Sequence, residues 1–112
     1  MTSPVLVLDV AHPPRHADEV ERELLDAWSR VRNSSALRIL KVIHGYGSSG
    51  RGGSTKDTVR NWVFRHRSKF KSVIEGESLN VYHATTQELI KEVGSFAGED
   101  SDNPGMTIIW VK

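Results

Sequence analysis

The spacing of apolar residues switches along this chain between two periods, and that alternation limits the fold more than any single motif does. Residues 4–10, PVLVLDV, are apolar on both parities, the pattern of a strand covered on both faces. Pro13 and Pro14 then exclude a helix interior or a central strand. From Ala17 to Arg32 the period becomes helical, with Val20, Leu24, Ala27, Trp28 and Val31 on one stripe. Asp18, Glu19 and Glu21 near its start and Arg30 and Arg32 near its end suit the helix dipole. Asn33, Ser34 and Ser35 close it. A second strand is expected over 37–43, LRILKVI.

A second helix follows a glycine-rich loop. Ser54 is placed to cap it and Asp57 stands at the capping-box offset. Its inward stripe is expected to be Val59, Trp62, Val63, His66 and Phe70. A third strand is expected over 72–79 and a short extra helix over about 85–96, packing through Leu89, Ile90, Val93 and Phe96. The polar stretch 97–105 reads as a loop. Residues 106–111, MTIIWV, read as a last strand buried on both faces. The order β-α-β-α-β-(α)-β predicts the α+β class, a two-layer α/β sandwich on a mixed four-stranded sheet. At 112 residues the chain is expected to be one stand-alone domain over 1–112.

The loop HGYGSSGRGGST leaves the second strand and runs into a helix start. Such a junction gathers unpaired backbone N–H groups and the positive end of a helix dipole. Glycine lets backbone approach a ligand closely, so the loop suits an anion, phosphate above all. Gly45, Gly47 and Gly50 match G-x-G-x-x-G, but the capping signal arrives only at Ser54, after Arg51, Gly52 and Gly53. That disagrees with a dinucleotide fold, whose third glycine lies inside the helix it opens. The nucleotide-triphosphate pattern also fails, because Arg51 and Gly52 occupy its Lys-Ser/Thr places. No nucleotide cofactor is therefore expected.

Charge is distributed unevenly. The formal net charge is only +1. Yet Arg51, Lys56, Arg60, Arg65, Arg67, Lys69 and Lys71 face only Asp57 within 51–71, and an acidic segment follows. A basic block in a near-neutral domain can form a local anion-binding face, or simply a solvated helix surface. With no cysteine, disulfides, thiolate metal sites and cysteine nucleophiles are excluded. No apolar run reaches membrane-spanning length. The apolar start carries no cation before Arg15 and no cleavage pattern, so it reads as a strand rather than a signal peptide. A cytoplasmic location is expected.

Laid out this way, the chain resembles the Smr (small MutS-related) family. LDVAH at the end of strand one is similar to that family's L-D-x-H motif, and VIHGYG at the end of strand two to its H-G-x-G motif. TKDTVRNWVFRH is similar to the basic, tryptophan-bearing helix that follows, and NPGMTIIWVK to the closing glycine turn and strand. The resemblance covers about two-thirds of the chain. It implies a β-α-β-α-β-β sandwich like the C-terminal domain of a bacterial translation-initiation factor. It also implies binding of DNA or RNA and, as in several members, endonuclease or nicking activity. Two departures stand out: the first motif reads Leu8-Asp9-Val10-Ala11-His12, one residue longer than the family's, and the extra helix is not part of the minimal domain.

The site that the resemblance implies joins Asp9 and His12 to His44, Gly45 and Gly47. Asp9 would orient a histidine or act as base, and His12 and His44 are the histidines available to move a proton. Gly45, Tyr46, Gly47 and Arg51 would hold phosphate, Tyr46 offering a stacking face, while Lys56 and Arg60 would follow the strand. A divalent metal is left open, since these residues have no diagnostic ligand spacing. Asp9 as a turn-making residue and His44 as a loop cap are the structural alternatives. Beside the endonuclease stand a non-catalytic nucleic-acid binder and a protein-interaction module that uses the extra helix.

Overall fold

The computed structural model describes residues 4–13, 15–45, 55–79, 83–93 and 103–112. Its elements run β1 (Val5–Asp9), α1 (Ala17–Arg32), β2 (Ile39–Ile43), α2 (Thr55–Arg65), β3 (Phe70–Glu75), α3 (Ala84–Val93) and β4 (Met106–Val111). They form a small α+β fold around one mixed four-stranded sheet of order β1-β2-β4-β3. β1 and β2 are parallel, whereas β4 pairs antiparallel with both β2 and β3.

α1 spans the residues its periodicity predicts. The His16 side chain caps it by accepting the Asp18 N–H at 3.3 Å. Val20, Leu24, Ala27 and Val31 turn inward and meet Val59, Trp62 and Val63 of α2 over Leu40, Val42, Ile109 and Val111. On the other face of the sheet, Ile39, Ile74, Ile108 and Trp110 pack with Leu79 and with Leu89 of α3. The extra helix therefore adds cover to the face that α1 and α2 leave open. β4 lies between two strands and under both clusters, so every residue from Met106 to Val111 is buried. Among the described residues, no helix is long and apolar enough to cross a membrane.

Several expectations are corrected. β1 is an edge strand and Val7 is 54% exposed; strand apolarity cannot tell an edge from a centre when only one neighbour exists. β2 begins two residues later than expected. α2 stops at Arg65, and a short 3₁₀ turn over Arg67–Lys69 follows it. Phe70 therefore opens β3 instead of continuing the helical stripe, and the third strand runs over 70–75 rather than 72–79. His66 lies just beyond the helix, half-buried, with its ring 4.6 Å from that of Trp62. Trp62 and Trp110 are core, but Trp28 is only partly buried. The extra helix ends at Val93, and Ser54 and Phe96 lie outside the described residues.

Where β3 turns toward α3, Gly76 packs directly under the segment that leads into β4. Its carbonyl accepts the Asn103 N–H at 2.9 Å. A Cβ there would collide with the Asn103 carbonyl oxygen and stand 2.7 Å from that of Met106. Both obstacles are backbone and neither can swing aside. Gly76→Ala is expected to lower unfolding free energy by roughly 3 kcal/mol, the upper part of the usual cost of overpacking, measured by urea denaturation. An unchanged midpoint would show that the two segments part easily.

Candidate functional site

The C-terminal ends of β1 and β2 carry Asp9, His12, His44 and Gly45 of the residues that the sequence singles out. His44 follows β2 directly and is 2% exposed. Its Nδ1 lies 2.7 Å from the Gly45 carbonyl oxygen and its Nε2 2.9 Å from Thr107 Oγ1. A carbonyl can only accept, so the proton sits on Nδ1. Nε2 then accepts from the Thr107 hydroxyl. Arg60 completes the series by donating Nε–H to Thr107 Oγ1 at 3.3 Å. Burial pushes the His44 pKa below its usual value, and the nearby charges of Arg60 and Lys56 push the same way. The ring is neutral and both its nitrogens are engaged.

Gly45 turns the chain out of β2 with φ of +79°, a conformation that costs glycine nothing and other residues a good deal. The N–H groups of both His44 and Gly45 donate to the Gly105 carbonyl oxygen, at 2.9 and 3.0 Å. The Gly45 amide is thus spent on the closing glycine turn before β4. Tyr46, Gly47 and Arg51 lie outside the described residues.

Arg60 and Lys56 are also committed. Arg60 makes a two-pronged contact with Glu77, at 3.0 and 2.6 Å, and lies 3.1 Å from Glu75. Lys56 Nζ is 3.8 Å from Glu77. The guanidinium hydrogen bonds hold the Glu77 carboxyl at a pKa of about 2, well under its ordinary 4.5. These two cations therefore sit beside His44 with their charge largely balanced.

Asp9 forms a second, separate arrangement. Its Oδ1 accepts the N–H groups of Ala11 and His12 at 2.8 and 3.0 Å, which closes a tight turn. The same turn brings His12 Nδ1 within 3.0 Å of Oδ2. The His12 side chain is 77% exposed and that of Asp9 37%. Burial would raise the Asp9 pKa, but the hydrogen bonds from the His12 ring and the two amides outweigh it and hold the carboxylate ionised. Arg15 buttresses the turn by donating to the Asp9 carbonyl oxygen at 2.9 Å while its Nε pairs with Glu23. Three residues of tight turn are what bring the His12 ring back onto Asp9.

Strand alternation keeps the two arrangements apart. Asp9 pairs with Ile43, whereas His44 follows the Val10, Val42 and Thr107 side of the sheet, which faces α1 and α2. Asp9 and His44 thus share an end of the sheet but point to its opposite faces. What joins the neighbourhoods is contact between turns, because a Cβ on Gly45 would lie 3.9 Å from Ala11 Cβ. Among the described residues, no group of three or more His, Asp or Glu side chains is placed to hold a metal ion. Of the other histidines, His16 caps α1 and His83 bonds Thr86 at the start of α3.

Three partners were not singled out by sequence reasoning: Thr107, Glu75 and Glu77. Thr107 had a signal, as the one hydroxyl inside an otherwise apolar buried strand, where a polar group needs a partner. Glu75 and Glu77 had none, because only the fold brings them to α2.

The protonation equilibria predict how stability depends on pH. The folded-state pKa values of Glu77 and His44 both lie below their ordinary values. The unfolded chain then binds more protons, and stability falls as pH falls. The His44 contribution fades once pH drops below its ordinary 6.5, and the Glu77 contribution between 4.5 and about 2. In urea titrations across that range, Glu77→Gln should flatten the acidic limb. A limb as steep as that of the wild type would show that Glu77 adds nothing to the folded state.

No family model matches the sequence, and no curated relative does either. The fold does have a counterpart among solved structures. The Smr domain of Thermus thermophilus MutS2 superposes with a TM-score of 0.56 at 16% identity, over 96% of each chain. The fold of this chain is therefore that of an Smr domain.

Proposed function

We propose that this chain is a member of the Smr family, a nucleic-acid-binding domain, and that it cuts phosphodiester bonds with His12 and Asp9. The observation that carries the reading is the exposed Asp9–His12 pair, 3.0 Å apart, on a turn that abuts the start of the glycine-rich segment. Asp9 holds Nδ1, and among the described residues Nε2 has no partner. An imidazole oriented by a carboxylate through one nitrogen can move a proton through the other. In the proposed step, Nε2 takes the proton of a water or a ribose 2′-hydroxyl as its oxygen bonds to phosphorus. The ester P–O bond opposite breaks, and the departing oxygen takes up a proton. Backbone N–H groups of the glycine segment, with Tyr46, Gly47 and Arg51, hold the phosphate.

His44 supports this site instead of reacting. Its ring ties Gly45 to β4 and thereby sets where the glycine segment leaves the sheet. Lys56 and Arg60 reach a phosphate only by exchanging the glutamates for it, so Glu77→Gln should tighten binding several-fold at low salt. The cytoplasm, where nucleic acid is at hand and thiols are dispensable, is the setting we infer.

The test is to incubate labelled DNA and RNA with wild type, His12→Ala, Asp9→Asn and His44→Ala, with and without magnesium or manganese. Loss of one general acid–base group is expected to slow cleavage about 10²–10⁴-fold. His12→Ala should show that loss with binding retained, whereas His44→Ala should lower stability and binding together. Binding without turnover by the wild type would make the domain a non-catalytic binder. Cleavage that survives His12→Ala would dismiss the assignment of the base.

A further inference from the structure

The basic block seen in the sequence divides in two once it is folded. Lys56, Arg60 and Arg65 have glutamate partners. At the far end of the sheet from His44 the balance is different. There Arg32 from the end of α1, Lys69 from the turn before β3 and Lys112 just after β4 surround a cavity of about 400 Å³ whose wall is the half-buried ring of Trp28. Arg32 and Lys69 lie 5.4 and 5.2 Å from the Trp28 ring centroid. Lys112 reaches the Ser68 carbonyl oxygen at 2.9 Å. All three cations are exposed, and no carboxylate among the described residues pairs with any of them.

We infer that this Trp28 cavity is a second phosphate-binding site, which holds the backbone of the nucleic acid away from the Asp9–His12 turn. The inference rests on the nucleic-acid reading above and adds to it where and how far the strand runs. Three like charges converging from three separate elements repel one another, and a bound anion turns that repulsion into attraction. Rotatable ammonium groups beside a planar guanidinium suit the several oxygens of a phosphodiester. The Trp28 ring, with Arg32 and Lys69 over it, steadies those two cations at the cavity. Geometry agrees with one strand touching both ends. β2 separates them by about six residues, near 20 Å at about 3.3 Å each, and one strand of a duplex places a phosphate about every 3.4 Å along the axis.

The experiment compares wild type, the combined variant R32A/K69A/K112A, and Lys91→Ala on α3 as a control, binding a fluorescent 20-nucleotide strand and its duplex over a potassium chloride series. All four altered side chains are exposed, and circular dichroism checks that each variant folds. The expected result is a log–log salt slope shallower by about 2.7 on duplex and about 2.1 on single strand for the combined variant, at about 0.9 and 0.7 per lost contact, with Lys91→Ala unchanged. A slope equal to that of the wild type would overturn the second site and leave the Asp9–His12 reading standing. Equal competition by poly-glutamate of matched charge would overturn it in favour of an acidic-protein partner. If the wild type binds no nucleic acid, the functional reading fails, and tryptophan fluorescence with inorganic phosphate decides the cavity. A response abolished by Trp28→Phe keeps it as an anion site, and no response removes it.

Discussion

The antiparallel pairing of β4 with β2 is the interaction on which the rest of the structure depends. β4 is last in sequence but lies inside the sheet, so the chain's final strand closes both hydrophobic clusters. Ile109 and Val111 support α1 and α2 on one face, while Ile108 and Trp110 support Leu79 and Leu89 on the other. Each fully buried side chain of this kind is worth about 1.5–3 kcal/mol, and none of it is gained until residues far apart in the chain have met. The same pairing positions the chemistry. Gly105 at its start receives the amides of His44 and Gly45, and Thr107 receives the His44 ring.

That dependence explains why His44 is buried. A loop leaving a central strand must place its first polar groups where the ladder ends, and an unpartnered buried imidazole would be costly. The series Arg60, Thr107, His44, Gly45 satisfies every member, and Glu75 at the end of β3 and Glu77 just after it balance the guanidinium. β1, by contrast, lies at an edge, and its end is open to solvent. The side chains there can be reached, that of His12 being 77% exposed. One end of one sheet thus carries a buried histidine on the face of α1 and α2 and an exposed one in the turn after β1.

The electrostatic pattern follows the same division between neighbours along the chain and neighbours in space. Sequence proximity put Lys56, Arg60, Arg65 and Lys69 in one basic stretch. In the fold, Glu77 just after β3 takes the charge of the first two, and Glu21 on α1 takes that of Arg65. Lys69 is left with Arg32 and Lys112 around Trp28. A basic block is therefore not one surface.

The sequence by itself determined the order of elements, the span of α1 and the double burial of β4, because periodicity and apolar runs are local properties of the chain. It also located the ends of β1 and β2 as the place where polar residues and glycines gather, and the Smr fold found there agrees with its motifs. The tertiary structure alone decided that β1 is an edge strand, that α2 stops before His66, and that Phe70 starts a strand. It decided too that His44 bonds Thr107, sixty-three residues away, rather than Asp9 on the next strand. Register and strand order settle those outcomes: they set which side chains share a face, and nothing within a short window of residues records who the neighbours across a sheet will be.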